Sequence, residues 1–182
     1  DLVSRASFLG FGAVALTDHW STYGHFEFEE AARRAGVKPV FGAELQHTSL
    51  TKAPGLYHLT VLAENNSGYR NLCSLVSLHA SRERGGFIAI DELAAHREGL
   101  IVLSGCLRGE MAQSVLSGTL GRARDVIATL AEACGRENVF VELMNHNTPK
   151  ETLVWEQQIV IAEKAGIPVV VTNNDRFALK ED

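Results

Sequence analysis

Short apolar runs alternate with amphipathic segments along almost the whole chain, and this alternation constrains the fold more than any other feature. The apolar runs predict strands over residues 12–17, 37–42, 57–63, 100–103, 139–143 and 169–171. Helical spacing of apolar residues predicts the main helices over residues 26–35, 68–78, 122–133 and 151–165. Strands that alternate with helices are typical of a parallel sheet built from crossover units, either a barrel or a doubly wound sheet.

The composition excludes two classes of protein. Hydrophobic residues make up 46% of the 182 residues and the net charge is only −5, which is too apolar and too weakly charged for intrinsic disorder. The longest apolar stretches, such as 167–171, are far shorter than the ~20 residues of a membrane-spanning helix. We therefore expect no membrane partner. The three cysteines form no Cys-x-x-Cys pair, which favours a reducing, cytoplasmic environment.

The two ends of the chain bear on its domain organisation. The chain begins with Asp1 rather than Met and stops at Asp182 without a closing element. No linker rich in glycine, serine or proline divides it. We therefore expect residues 1–182 to be one domain that is truncated at both ends.

Polar side chains cluster where the predicted strands end. His19, Glu44 and Cys106 each follow a predicted strand, and His58 lies inside one at an alternating position. The carboxyl ends of parallel strands meet on one face, where ligands gather. Imidazole, carboxylate and thiolate together suit zinc or manganese. Each residue also has an ordinary structural interpretation, as a hydrogen-bonded loop histidine, a helix-capping glutamate or a small buried cysteine, so the spacing leaves both open.

Six stretches of the chain are recognisable in order. They are 16–19 (LTDH), 42–44 (GAE), 57–63 (YHLTVLA), 65–72 (NNSGYRNL), 99–110 (GLIVLSGCLRGE) and 166–173 (GIPVVVTN). Together they resemble the PHP domain, the polymerase and histidinol phosphatase domain at the N-terminus of bacterial DNA polymerase III alpha subunits. The stretch 65–72 resembles the polymerase branch rather than the stand-alone phosphatases.

The resemblance implies an α/β fold, a distorted seven-stranded β/α barrel with a metal cluster at one mouth. The family's opening His-x-His pair and a following Asp lie upstream of Asp1, so the N-terminal strand and its metal motif are expected to be missing from this chain. By position, His19, Glu44, His58 and Cys106 match family metal ligands. The implied metals are zinc or manganese.

Two family ligand positions depart from the pattern. An Asp and a His, one residue apart after the last strand, fall here on Asn174 and Arg176. A neutral amide is a far weaker ligand than a carboxylate, and a guanidinium has no lone pair to offer and repels a cation. We therefore expect a depleted metal site, in which the family's metal-dependent 3′–5′ exonuclease chemistry is degenerate.

The function implied by the resemblance is that of a DNA polymerase III alpha subunit, replicative or error-prone, which is a DNA-directed DNA polymerase (nucleotidyltransferase) of DNA replication. Its polymerase carboxylates and their magnesium would lie beyond Asp182, so no catalytic residue is expected in this chain. The implied partners are the rest of the polymerase chain, primer-template DNA through other domains, a proofreading exonuclease subunit and the sliding clamp. Two alternatives stay open: a metal-dependent phosphoesterase of the histidinol phosphatase type, and a purely structural or interaction module.

Overall fold

The computed structural model of the chain describes residues 2–81, 86–144, 146 and 148–173. Its α-helices are α1 (Leu2–Phe8), α2 (His25–Ala35), α3 (Asn66–Ala80), α4 (Ile90–Ala95), α5 (Glu110–Leu116), α6 (Leu120–Cys134) and α7 (Pro149–Ala165). Its strands are β1 (Ala13–Leu16), β2 (Lys38–Thr48), β3 (Leu56–Ala63), β4 (Leu100–Leu103), β5 (Val139–Met144) and β6 (Val169–Thr172). None of the helices in these ranges is both long enough and apolar enough to cross a membrane.

The four main predicted helices are confirmed to within two residues at each end, and local signals mark ends of three of them. The Asn65 side chain accepts a hydrogen bond from the Gly68 amide at 3.0 Å and starts α3. Thr148 and Glu151 cap the start of α7 reciprocally. Gly36 and Gly166, at φ 68° and 63°, take the left-handed conformation that ends α2 and α7. The short helices α4 and α5, of 6 and 7 residues, show too few turns for a periodic pattern and were not predicted.

The six strands form one sheet in the order β1-β2-β3-β4-β5-β6. β1–β2, β4–β5 and β5–β6 pair in parallel, whereas β2–β3 and β3–β4 pair antiparallel, so β3 alone runs against the other strands. The expected parallel sheet is therefore mostly parallel, and β3 is the exception among the described strands. The reason is the connection 49–55 between β2 and β3, which holds no helix and is shorter than the dozen or more residues of a parallel crossover.

The curled sheet forms half of a barrel, which confirms the expected α/β barrel class. One face of the sheet builds the main core: Leu45, Leu59, Val102 and Val141 are buried with side chains of the long helices. Successive side chains of a strand point to opposite faces. Glu44, His58, Thr60 and Glu142 therefore lie on the other face, the one that carries the polar groups.

Candidate metal centre

His19, Glu44 and His58 come together at one end of the sheet. One ligand atom from each lies within 4.8 Å of those of the other two. The Nε2 atom of His19 is 2.8 Å from the Oε1 atom of Glu44, and the Nδ1 atom of His58 contacts the same oxygen. The Glu44 and His58 side chains are buried, whereas that of His19 is 39% exposed. The cluster therefore opens to solvent on the His19 side.

The backbone after β1 places His19 beside Glu44. The Glu44 amide donates to the Asp18 carbonyl at 3.1 Å, and the Trp20 amide donates to the Glu44 carbonyl at 2.9 Å. These bonds form an isolated parallel bridge between His19 and Glu44, beyond the end of β1. Trp20 has a φ of 54°, a left-handed conformation that is rare for a bulky residue and that tends to be retained at functional sites.

The reversed strand β3 brings His58 to the same end. The sequence predicted Glu44 just after a strand, but β2 continues to Thr48, so this prediction of its position was wrong. Pairing with β3 extends β2: Glu44 lies opposite Thr60, and Gln46 lies opposite His58. Because β3 runs the other way, the start of β3 lies at the end of the sheet where the neighbouring strands finish.

The electrostatics of the cluster favour an ionised carboxylate. Burial alone would raise the pKa of Glu44, but the hydrogen bond from His58 and the positive charges of His58, His19 and Arg108 hold this pKa below its ordinary value. The Nε2 atom of His58 is buried and has no hydrogen-bond partner among the described residues. A buried polar atom without a partner calls for an explanation such as an ion. Two imidazoles and one carboxylate are donors that zinc and manganese accept, so these three residues fit a divalent metal.

Cys106 lies near this cluster but outside the group of three whose ligand atoms converge. It follows β4, and its Sγ atom accepts a hydrogen bond of 3.4 Å from the Arg108 amide. Burial, together with the negative charges of Glu44 and Glu142, raises the pKa of the Cys106 thiol to about 11. The thiol is therefore protonated at neutral pH unless a cation is bound beside it.

The family follows from comparison with known proteins. Residues 1–146 of the chain match the PHP domain. The chain belongs to the PHP domain family. Of its curated relatives, the DNA polymerase III alpha subunits of Treponema pallidum and Escherichia coli K12 are each 36% identical, over 191 and 184 residues. Both matches cover 100% of this chain, and the chain spans 16% of the length of each relative.

Two solved structures share the fold of this PHP domain. An amidohydrolase from Chromobacterium violaceum, with bound sulfate and no metal, aligns with a TM-score of 0.63 at 14% identity. A protein described as a metal-dependent phosphoesterase from Bifidobacterium adolescentis aligns with a TM-score of 0.60 at 16% identity. The alignments cover 100% of this chain and 83% and 82% of the two structures, respectively. At such low identities the likeness concerns the fold.

Asn174 and Arg176, which stand where the family has metal ligands, lie outside the described residues. Their predicted weakening of the site therefore stays a prediction. It concerns the segment that follows β6, the strand whose Thr172 contacts Glu142 at 2.7 Å.

Glu142 is a residue of this face of the PHP domain that the sequence reasoning missed. It lies on β5 and is buried, and its carboxylate accepts hydrogen bonds from Thr172 at 2.7 Å and Thr60 at 3.2 Å. Burial raises the pKa of Glu142, the negative charge of Glu44 adds to the rise, and the two threonine hydroxyls oppose it. The available signal was a lone charged residue within the apolar run 139–143, the same kind of signal that singled out His58.

Proposed function

We propose that this PHP domain belongs to a DNA polymerase III alpha subunit. The observation that carries the proposal is the 36% identity to two such subunits across 100% of the chain. The whole protein would be a cytoplasmic DNA-directed DNA polymerase of replication, replicative or error-prone, whose magnesium centre lies in other domains. Its partners would be the rest of the polymerase chain, primer-template DNA, a proofreading exonuclease subunit and the sliding clamp.

Within that protein, the local role of the PHP domain would be to brace the polymerase body or to bind a partner, with a depleted metal site. His19, Glu44 and His58 would hold one zinc or manganese ion, with Cys106 beside them. Such an ion lowers the pKa of bound water and stabilises charge on a phosphate. Glu44 orients both imidazoles through its contacts with them, and the exposed His19 edge leaves access for a substrate.

The proposed depletion follows from the identities of Asn174 and Arg176. Neither an amide nor a guanidinium replaces a carboxylate or an imidazole as a metal ligand. The three residues His19, Glu44 and His58 can retain one metal ion. A further metal position that depended on the residues at 174 and 176 would lose these ligands. We therefore expect the metal to stabilise the fold, with negligible nuclease turnover.

The first prediction tests this proposal on the purified protein and on the full-length polymerase. We expect bound zinc or manganese by mass spectrometry, lost in His19→Ala and kept in the control His96→Ala, whose imidazole instead bonds to a carbonyl of α4 at 2.8 Å. We expect removal of primer 3′ nucleotides to stay at background with either metal. Recovery in Asn174→Asp combined with Arg176→His would support depletion.

Two outcomes would contradict the proposal separately. Robust 3′ removal that is abolished by His19→Ala would show an intact nuclease site. Metal content that is equal in the parent and in His19→Ala would show that these residues do not form the metal site. The polymerase assignment itself is tested by template-directed primer extension with the full-length protein.

The phosphoesterase alternative is not favoured by the comparisons. The structure described as a phosphoesterase is only 16% identical, whereas the polymerase subunits reach 36%. The phosphoesterase alternative would be supported by turnover of a small phosphate monoester, such as p-nitrophenyl phosphate, that is lost in His19→Ala.

A further inference from the structure

A small cavity lies behind the loop that carries Cys106. Its volume is about 10 Å³, and Gly105, Cys106, Glu142, Trp155 and Gln158 are among its lining residues. The lining therefore combines the loop after β4, strand β5 and helix α7. A volume of this size accommodates a single water molecule.

Two residues that line this cavity each have an N–H donor without a partner among the described residues. These donors are the Nε1 atom of Trp155 and the Nε2 atom of Gln158, both buried. Gln158 as a whole is only 2% exposed. The two residues are three positions apart on α7 and thus neighbours on one face of the helix. Leaving buried donors without an acceptor is costly, so the pair points to a missing acceptor.

The chemistry of the lining selects the acceptor. An anion is disfavoured, because the carboxylates of Glu142 and Glu151 also line the cavity. A metal cation is disfavoured, because two N–H groups present their positive ends to it. An apolar occupant would leave both donors unsatisfied. A water molecule has two lone pairs for the two N–H groups and two hydrogens for acceptors in the wall.

We propose that this cavity binds one ordered water molecule, which accepts hydrogen bonds from Trp155 Nε1 and Gln158 Nε2 and donates to the Glu142 carboxylate. The Glu142 carboxylate accepts one side-chain hydrogen bond at each oxygen, from Thr172 and Thr60, and a further one from the Gly105 backbone. A carboxylate has about four lone-pair sites, so capacity remains for the water. The water links α7 to β5 and to the loop that carries Cys106. Through this water, Trp155 and Gln158 help to position β5 and the Cys106 loop beside the candidate metal centre.

The direct test uses the indole signals of the protein. Trp20 and Trp155 are its two tryptophans, so a spectrum of ¹⁵N-labelled indoles holds two signals, which Trp20→Phe assigns. We expect the Trp155 N–H to exchange slowly and to show a nuclear Overhauser effect to a long-lived water. A Trp155 N–H without that effect, or one in fast exchange with bulk solvent, would overturn the proposal.

The second test distinguishes a water site from a pair of truly orphaned donors by the sign of a stability change. Gln158→Met keeps the length of the side chain and removes the donor. If the water is bound, one of its hydrogen bonds is lost, and we expect the melting temperature to fall by about 2–4 °C. If the donor is orphaned, its removal leaves the melting temperature unchanged or raises it, which refutes the proposal. Gln157→Met, on the adjacent half-buried residue, is the matched control and is expected to have little effect.

Discussion

Two glutamates on the same face of the sheet show how neighbours decide the chemistry of a side chain. Glu44 contacts two imidazoles, and their charges hold its pKa below the ordinary value despite burial. Glu142 is buried against two threonine hydroxyls, and burial raises its pKa. The same carboxyl group therefore keeps its negative charge more readily at position 44 than at position 142.

The second prediction concerns Glu142 and pH. Because its pKa is higher in the folded than in the unfolded state, its favourable contribution is present below the unfolded value and is lost as pH rises through the folded value. Each unit of such a pKa difference corresponds to about 1.4 kcal/mol. We expect Glu142→Gln, which stays neutral, to gain stability relative to the parent as pH rises above the ordinary glutamate value of 4.5.

Urea unfolding at several pH values measures this gain. Glu132→Gln, at an exposed position of α6, is the control and should follow the parent at every pH. A constant difference between Glu142→Gln and the parent across the pH range would refute the assignment of a raised pKa.

At the scale of elements, the connection between β2 and β3 is held by helices that are distant in sequence. Glu110, at the start of α5, accepts hydrogen bonds from Ser49 Oγ at 2.6 Å, Leu50 N at 2.7 Å and Thr51 Oγ1 at 2.6 Å. Arg122 of α6 donates to Glu110 at 3.1 Å and to Tyr57 at 2.8 Å. This network fixes the turn of the hairpin that carries Glu44 and His58.

The third prediction is that Glu110→Ala destabilises the fold by about 2–4 kcal/mol, because it leaves three half-buried donors and a partly buried guanidinium without this acceptor. Arg122→Ala should cost less, and the double variant should cost less than the sum of the two, since both belong to one network. Thermal and urea unfolding measure these losses, with Glu132→Ala as the exposed control. Additive losses would contradict the network.

At the scale of the whole molecule, the half-barrel has two edges. β1 and β6 end the strand order, and no pairing joins them within the described part of the chain. Ala13 and Ala15 of β1 are exposed, and Val169 and Val171 of β6 are 44% and 67% exposed. Exposed edge strands with apolar side chains are ready sites for association with another chain.

The fourth prediction is that the purified protein self-associates through these edges. We expect Val171→Lys to shift the protein toward a monomer, because a lysine on an edge strand opposes pairing. Val160→Lys, on an exposed position of α7, is the control and should leave association unchanged. Light scattering after size-exclusion chromatography measures the mass. A parent that is monomeric, melts cooperatively and exposes no dye-binding apolar surface would refute the prediction.

The long helices and the family can be recognised from local sequence patterns alone. Caps such as Asn65 and Gly166 act within one turn of a helix, and the stretches that identify the family are contiguous in sequence. The helices and the family can therefore be recognised without any tertiary contact. His19, Glu44 and His58 were also singled out as candidates from strand ends and alternation, and the structure brings them together.

Tertiary contacts set the direction of β3, the position of Glu44 inside β2 and the presence of Glu142 beside the cluster. These depend on pairs that are far apart in sequence: Thr60 and Glu142 are separated by 82 residues, and Ser49 and Glu110 by 61. A local pattern reports period, caps and burial, whereas strand direction and the neighbours of a buried carboxyl depend on which distant segments pack against it. The long helices were therefore predictable to within two residues at each end, and the direction of β3 and the surroundings of Glu142 were not.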